Sequence, residues 1–185
     1  MDTAYVRPFE GLHDYAAMVD YFLGGGDAFL VDMGIDPARV PTRERWLATA
    51  LADHARPDAE KGRFFLAWLH EGRAVGHSCI SHIAFGDSAH VHMHLWNPSL
   101  RRAGVGTDRL TRSLDLYFER FELEQIVCEP FAENPGPNRT ARRLGFRHEK
   151  RYRTVPTEIA LELDVHRYTL EREDWMRLRA GKRAE

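Results

Sequence analysis

The chain has 185 residues, of which 43% are hydrophobic and 29% are charged, and its formal net charge is -2 at pH 7. This length suits one sizeable hydrophobic core, so we expect residues 1–185 to form a single domain. A nearly balanced charge, with a pI of about 6.6, gives no reason to expect nucleic acid or an anionic membrane as a partner.

Neither export nor membrane insertion is indicated by the sequence. The longest apolar run, residues 64–69, is too short to cross a bilayer. The N-terminal residues lack the basic and apolar regions of a secretory signal. Cys79 and Cys128 both fall in predicted strands, where we expect buried, reduced thiols. These features predict a cytoplasmic protein without a disulfide framework.

The first third of the chain reads as one strand followed by helical segments. Hydrophobic periodicity predicts a strand over residues 3–9 and a helix over residues 12–23. The glycines at 24–26 are expected to end this helix. The pattern changes over residues 27–62: residues 29–37 are apolar but irregular, and residues 41–46 open a further helix with Thr42 as its N-cap.

The central third predicts three consecutive strands and a helix. The strands cover residues 63–70, 73–85 and 89–95, and turn residues separate them. A glycine-bearing turn at 101–107 follows the third strand. An amphipathic helix comes next, with apolar residues at helical spacing: Leu110, Leu114, Tyr117, Phe118 and Phe121.

The last third alternates strands with short helices. We predict strands over residues 125–130, 146–152 and 159–170, a short helix at 139–144 and a closing helix at 173–180. The complete order of elements indicates a mixed α/β fold.

The turn between the third strand and the amphipathic helix is a candidate phosphate site. Gly104 and Gly106 have no Cβ, so a phosphate can approach the backbone amides at the positive end of the helix. A dinucleotide-binding motif would need a glycine at Arg109, and a P-loop would need Gly-Lys-Ser/Thr at a longer spacing. Neither of these motifs fits the turn.

Two motifs in the sequence resemble those of one enzyme family. Arg101-x-x-Gly104-x-Gly106 resembles the R/Q-x-x-G-x-G/A motif of the GNAT family of acyl-CoA N-acyltransferases. The later segment from Asn134 to Leu-Gly-Phe at 144–146 resembles the family's N-x-x-S/A...L-G-F element. The resemblance covers roughly residues 63–170. It is closest to the ribosomal-protein N-terminal acetyltransferases and the siderophore hydroxylamine acetyltransferases.

The resemblance implies a fold and a cofactor. The expected fold is α/β (α+β), with a mixed central sheet, helices on both faces and a splayed parallel strand pair that holds acetyl-CoA. In the family the amides of the turn bind the pyrophosphate of coenzyme A. The cofactor-binding residues that it implies here are Leu95, Trp96, Arg101, Arg102, Ala103, Gly104, Val105, Gly106, Thr107, Asn134 and Asn138.

The resemblance also implies an activity. The expected reaction is acetyl transfer from acetyl-CoA to a primary amine or hydroxylamine, carried by a small molecule or a peptide N-terminus. Residues 23–62 stand where the family has its variable segment, so we expect a helical insert that covers the acceptor. A homodimer is a possible assembly. The sequence leaves the acceptor and the acyl chain length open.

Histidines on the third strand are the expected catalytic residues. An acceptor ammonium with a pKa near 10 must lose a proton, and histidine titrates close to neutrality. His90, His92 and His94 alternate, so their side chains share one face of the strand. We predict His92 or His94 as the base, with His94 nearer the thioester. Glu129 is expected to orient a histidine or to receive the acceptor's cation.

The sequence departs from the family at the position of the general acid. Ala141 replaces the tyrosine of many members, and Pro137 replaces the serine of the ribosomal-protein branch. Neither residue can donate a proton, so Asn138 is the predicted hydrogen-bond donor to the leaving sulfur. The same departure leaves open a CoA-binding module that does not turn over.

A metal-binding β-barrel is the second alternative. His92-x-His94, preceded by Gly86, resembles the start of the cupin motif G-x5-H-x-H-x3/4-E. The glutamate of that motif would stand at Pro98 or Ser99, and the helix after the glycine turn does not suit a jelly roll. This alternative predicts a tightly bound divalent metal.

Overall fold

The structure is a computed structural model that describes residues 5–100 and 103–183. Its strands are β1 (Val6–Pro8), β2 (Arg63–His70), β3 (Arg73–Ala84), β4 (Ser88–Leu95), β5 (Gln125–Cys128), β6 (Arg147–Thr154) and β7 (Leu163–Glu171). Its α-helices are α1 (Leu12–Gly24), α2 (Gly26–Asp32), α3 (Arg43–His54), α4 (Val105–Arg120), α5 (Pro135–Arg143) and α6 (Arg172–Arg183). Single 3-10 turns lie at Pro37–Arg39, Asp58–Glu60 and Pro98–Leu100.

The strands described here form one open sheet in the order β1-β2-β3-β4-β5-β7-β6. Neighbouring strands are antiparallel, except that β4 and β5 run parallel. This pair is in register from Ser88 with Gln125 to His90 with Val127. Beyond that point β4 continues to Leu95 while paired with β3. The predicted mixed α/β fold and its splayed parallel pair are confirmed.

One face of the sheet is covered by α4, α5 and α6. The side chains of Leu110, Leu114, Tyr117 and Phe118 recur on one side of α4, and all are buried. They belong to the same core as sheet residues from four strands: Leu66, Ile80, Val91 and Ile126. This packing fixes α4, and with it the turn that precedes α4, against the sheet.

The other face is covered by α1 and α3. Met18 and Phe22 of α1 pack in a second core with Phe65 of β2. The two helices are joined at the surface by Arg43, whose Nε lies 2.7 Å from a carboxylate oxygen of Asp20. None of the helices in the described part of the chain combines the length and hydrophobicity that a bilayer-spanning helix requires.

The predicted irregular segment after the first helix is largely helical. α1 ends at Gly24 as expected, but α2 begins only two residues later at Gly26. Gly26 has a φ of 72°, a left-handed conformation that glycine adopts readily. The glycines therefore redirect the helical chain instead of opening a long loop. Thr42 caps α3 as predicted, since its hydroxyl accepts a hydrogen bond from the amide of Arg45.

The predicted last strand, residues 159–170, is wrong at its start. β7 begins at Leu163, because the preceding residues hydrogen bond to the chain after α2. The amide of Asp36 donates to the carbonyl of Ile159, and the amide of Leu161 donates to the carbonyl of Gly34, both at 2.8 Å. Apolar residues alternate in the same way in a strand and in this extended segment before β7. The sequence pattern therefore does not distinguish the two.

Other boundaries differ by a few residues. β1 lies inside the predicted range 3–9, of which residues 3 and 4 fall outside the described residues. β5 ends at Cys128, two residues earlier than expected. α5 begins at Pro135 instead of 139, because Asn134 caps it and proline suits the first helical turn.

We expect Leu114→Ala to lower the free energy of unfolding by about 2–5 kcal/mol, since Leu114 is fully buried and its truncation leaves a cavity. Leu12→Ala is the matched control, because Leu12 is 59% exposed. It should change stability by less than about 0.5 kcal/mol. Urea denaturation of both variants measures the difference, and equal values would contradict the assigned core.

Candidate active site

The site is built around the point where β4 and β5 separate. The parallel register ends at His90 and Val127, so His92 and His94 lie on the part of β4 that extends beyond it. Glu129 follows the last residue of β5 on the other side of the gap. The chain after β4 then leads through the glycine turn into α4.

The N-terminus of α4 is open. Its N-cap is Gly104, with φ 80° and ψ -9°, and no side chain among the described residues caps the helix. A Cβ added at Gly104 would have no heavy atom within 4 Å in the part of the chain that the structure describes. The first amides of an α-helix have no intrahelical acceptor, so the turn presents free N–H donors to a ligand. Arg101 and Arg102 of the predicted phosphate site lie outside the described residues.

A buried arginine anchors this end of α4. The Nε of Arg109 donates to the carbonyl oxygen of Leu69 at the end of β2, at 2.9 Å. Its guanidinium also lies 4.3 Å from the ring centre of Tyr5. Arg109 stands where a dinucleotide-binding motif needs glycine, and here it attaches the helix to the sheet. In the sequence, Arg109 served only to exclude a dinucleotide-binding motif, and its anchoring role was not predicted.

His94 is packed by aromatic rings but keeps its nitrogens free. Its ring stacks on His77 at 4.9 Å with an 18° interplanar angle, and Phe22 contacts it edge-on. Within the described residues neither ring nitrogen of His94 has a hydrogen-bond partner. Burial lowers the pKa of His94 to about 4. The ring is therefore neutral at pH 7, and burial makes it a weaker base than an ordinary histidine.

His92 is held by a serine. Its Nε2 lies 2.8 Å from Oγ of Ser81 on β3. Burial is the main reason that its pKa falls to about 3, and the neighbouring His94 and His90 lower it further. His92 is also neutral at pH 7. The register of β4 with β3 places the three β4 histidines opposite alternate residues of β3, which agrees with the prediction that they share one face.

His77 is a residue that sequence reasoning missed. It is 1% exposed, and its Nδ1 accepts a hydrogen bond from Nε1 of Trp96 at 2.9 Å. The indole nitrogen is only a donor, so the proton of the neutral ring is on Nε2. Burial lowers the pKa of His77 well below its usual value. Its position opposite His94 follows from strand register, which the sequence does not fix.

Trp96 and Leu95 close the end of β4. Leu95 pairs with Gly76, and the amide of Trp96 donates to the carbonyl of Val75 at 2.8 Å. The indole of Trp96 stacks on Tyr21 of α1 at 5.9 Å. Both residues are half-buried, which leaves part of each surface available beside the gap.

Glu129 is part of an ion-pair network. Its carboxylate accepts hydrogen bonds from Nη1 of Arg167 at 2.7 Å and from the hydroxyl of Tyr152 at 2.5 Å. Its other oxygen lies 3.7 Å from Nδ1 of His90. Burial lowers the pKa of His90, an effect that Glu129 partly opposes. An arginine therefore already occupies the cationic position that sequence reasoning left for an acceptor.

The two predicted asparagines are both engaged by the backbone. The amide nitrogen of Asn138 donates to the carbonyls of Phe131 and Asn134, at 2.9 and 2.7 Å. Its carbonyl accepts from the hydroxyl of Tyr168 at 3.1 Å. Both amide hydrogens are thus used within the chain, so donation to a sulfur would require one of these bonds to break, and the predicted role of Asn138 stays a prediction. The side chain of Asn134 accepts from the amide of Gly136 as the cap of α5.

A cavity of about 440 Å³ opens on the other side of Asn138. Its lining is basic and includes Arg139, Arg142, Arg143 and His166. Arg142 and Arg143 lie in the last turn of α5, where cations complement the helix dipole. The described β4 histidines do not line this cavity.

The metal-binding alternative does not agree with the structure. An open α/β sheet is not a jelly roll, so the β-barrel is wrong. In the ranges 5–100 and 103–183, no cluster of three or more histidine, cysteine or acidic side chains is arranged to hold a metal. Nε2 of His92 is instead hydrogen bonded to Ser81.

Comparison with known proteins decides the family. The model of the acetyltransferase (GNAT) family matches residues 22–146. The chain belongs to the GNAT acetyltransferase family. The resemblance drawn from the glycine turn and the Leu-Gly-Phe element is confirmed. A comparison with curated proteins finds no match.

Solved acetyltransferases share the fold of this GNAT enzyme at low sequence identity. The ribosomal-protein-S5-alanine acetyltransferase of Vibrio fischeri has a TM-score of 0.71 and 18% identity, over 95% of this chain and 97% of that one. The microcin C7 self immunity acetyltransferase, in complex with acetyl-CoA and AMP, has a TM-score of 0.71 and 15% identity, over 91% and 93%. The aminoglycoside acetyltransferase AAC(6')-Ib, in complex with coenzyme A and kanamycin, has a TM-score of 0.71 and 19% identity, over 94% and 98%.

The GNAT fold also locates the two replaced positions. Ala141 is fully buried on the side of α5 that faces the sheet, and Pro137 is half-buried in its first turn. On α5 the side-chain amide of Asn138 is committed to backbone carbonyls, and the hydroxyl of Thr140 donates to the carbonyl of Gly136.

We expect the stability of the protein to fall between about pH 6.5 and pH 4, partly because of His94. Its folded-state pKa of about 4 lies below the ordinary 6.5, so the unfolded chain binds the proton first and stability is lost as the pH falls through this window. His94→Gln should reduce this pH dependence, measured as the free energy of unfolding at pH 5 and 7.5. His13→Gln, a change at an exposed histidine on α1, should preserve it. The same slope in all three proteins would contradict the burial of His94.

Proposed function

We propose that the protein is an acetyl-CoA-dependent N-acetyltransferase whose acceptor is a primary amine or hydroxylamine, on a small molecule or a peptide N-terminus. The single observation that carries the proposal is the gap where β4 leaves β5, next to an uncapped helix N-terminus. Two neutral histidines lie on the same stretch of β4. Membership of an acetyltransferase family supports the reaction class.

The coenzyme is assigned to the open end of α4. The amides of Val105, Gly106 and Thr107 would bind its pyrophosphate, with Gly104 giving access to the backbone. Leu95, Trp96, Ala103, Arg101, Arg102 and Asn134 complete the proposed cofactor-binding residues. When bound, acetyl-CoA supplies the activated acetyl group as a thioester. The complexes of the microcin C7 and aminoglycoside enzymes support this assignment by similarity of fold.

His92 and His94 are the proposed proton acceptors. Each ring is neutral at pH 7 and has a nitrogen lone pair, although burial lowers its pKa and makes it a weaker base than an ordinary histidine. The proposed step is therefore removal of the amine proton as the amine attacks the thioester, when that proton has become far more acidic than in the free ammonium. Glu129 is assigned a positioning role through His90, and Asn138 a structural role that holds the chain before α5.

The acceptor is assigned to the side of the sheet that α1 and α2 cover. Tyr21 of α1 contacts both Trp96 and Phe29 of α2, which gives a half-buried aromatic wall beside the end of β4. Asp27 and Asp32 of α2 are exposed, and they would attract a cationic acceptor. The names of the structural neighbours mention ribosomal proteins and kanamycin, which supports an amine acceptor without selecting one.

The proposal is tested by titrating the purified protein with acetyl-CoA in a calorimeter and then screening amines and hydroxylamines for release of free thiol. We expect micromolar binding, a melting temperature that rises with ligand concentration, and thiol release with at least one acceptor class. Binding without release for every acceptor would indicate a CoA-binding module. No binding would contradict the proposal at its first step.

We expect Gly104→Val to weaken acetyl-CoA binding by at least about tenfold, which is a loss of about 1.4 kcal/mol. A side chain there covers the helix amides and also strains a backbone with φ 80°. Gly86→Val is the matched control, because Gly86 has a φ of 76° in a turn away from the gap. It should lose stability similarly and keep its affinity. Equal losses of affinity would show that strain, not access to the amides, is responsible.

A further inference from the structure

A serine on β3 joins two histidines. Oγ of Ser81 lies 2.8 Å from Nε2 of His92 and 3.1 Å from Nδ1 of His82. Ser81 pairs with His90 across the strands, so it reaches His92 along the diagonal. Only one hydroxyl group separates the two rings.

A backbone irregularity brings His82 into this arrangement. Side chains alternate along a strand, so His82 should point to the opposite face from Ser81. The register of β3 with β4 shifts between Ser81 and Ala84, and His82 has a φ of 50°. Bulges of this kind re-aim a side chain. As a result the His82 ring lies 5.1 Å from that of His90, on the histidine face.

The chain of the three groups ends at the surface. Ser81 is 4% exposed, His92 is half-buried and His82 is exposed. We propose that Ser81 and His82 form a proton exit for His92, which carries the proton taken from the acceptor to bulk water. The inference rests on the proposed acetyltransferase function. Ser81 and His82 do not touch the acceptor in this scheme and act only through His92.

Every proton transfer along the proposed chain of hydrogen bonds can be accounted for. A hydroxyl has one hydrogen to donate, and in the proposed chain Ser81 accepts Nε2–H of His92 and donates its own hydrogen to Nδ1 of His82. This arrangement leaves Nδ1 of His92 as the free lone pair. When Nδ1 takes a proton, the Nε2 proton moves to Ser81, the serine proton moves to Nδ1 of His82, and His82 releases its Nε2 proton to water. All three groups end neutral, and the starting tautomers return by proton exchange with water.

The surroundings of His92 favour onward transfer over storage of the proton. Burial is the main cause that disfavours its charged form, and the groups around it add to the effect. The charged or titratable groups near it are His90 and His94 on β4, His82 on β3, and Arg63 on β2, which pairs with Glu158 at 2.5 Å. Most of these neighbouring groups are neutral or positively charged. They therefore do not stabilise a positive charge on His92, and a proton there is released readily.

The tautomer of His92 tests the chain without any need for turnover. Long-range proton–nitrogen correlation spectra of the full-length protein with 15N-labelled histidine report which ring nitrogen is protonated, and His92→Gln and His82→Gln proteins assign the signals. We expect Nε2–H at His92 in the wild type, a mixture of tautomers in Ser81→Ala, and the wild-type state in Ser81→Thr. Ser88→Ala, at the far end of β4, should leave the spectrum unchanged. Protonation of Nδ1 in the wild type, or no change in Ser81→Ala, would overturn the inference.

Kinetics supply the second readout. With an accepted amine we expect Ser81→Ala and His82→Gln to lower kcat by about tenfold at constant KM, less than the factor of about 10² to 10⁴ that a whole general base contributes. Ser81→Thr should restore kcat, and His13→Gln should not alter it. Unchanged kcat in both Ser81→Ala and His82→Gln overturns the exit. Absence of turnover in the wild type would reject the proposed function, while the tautomer spectra still decide the hydrogen-bond chain.

Discussion

The parallel pairing of β4 with β5 stops at His90 and Val127, and the proposed site depends on that limit. A backbone group that leaves a ladder must find another partner, which is why a gap in a sheet is available to a ligand. β4 keeps a partner beyond this point, because β3 continues to pair with it as far as Leu95. The gap therefore has one rigid wall, and that wall carries His92 and His94.

Two cores on opposite faces of the sheet hold the two halves of the site. The core under α4 fixes the helix N-terminus, with Arg109 as its anchor to β2. The core under α1 packs aromatic rings against His94, and burial lowers the pKa of this histidine. The same sheet thus separates an amide-rich face suited to phosphate from an apolar face suited to an uncharged amine.

The sequence predicted the fold well where periodicity and glycine spacing act together, as in β4, the turn at Gly104 and α4. It predicted less well where tertiary contacts override local pattern. The residues before β7 bridge to the end of α2, and Asn138 uses its amide to hold the chain before α5. His77 and the bulge at His82 could not be found in this way, because register decides which residues of two strands meet.

The central claim is that the coenzyme binds between β4 and β5 at the N-terminus of α4. Hydrogen–deuterium exchange with and without acetyl-CoA tests it most directly, since it reports each backbone amide. The account predicts that added ligand protects the amides of Val105, Gly106 and Thr107 together with those of residues 92–96. Protection confined to α5 around Arg139 and Arg142, with the α4 amides unchanged, would place the ligand in the basic cavity and contradict the account.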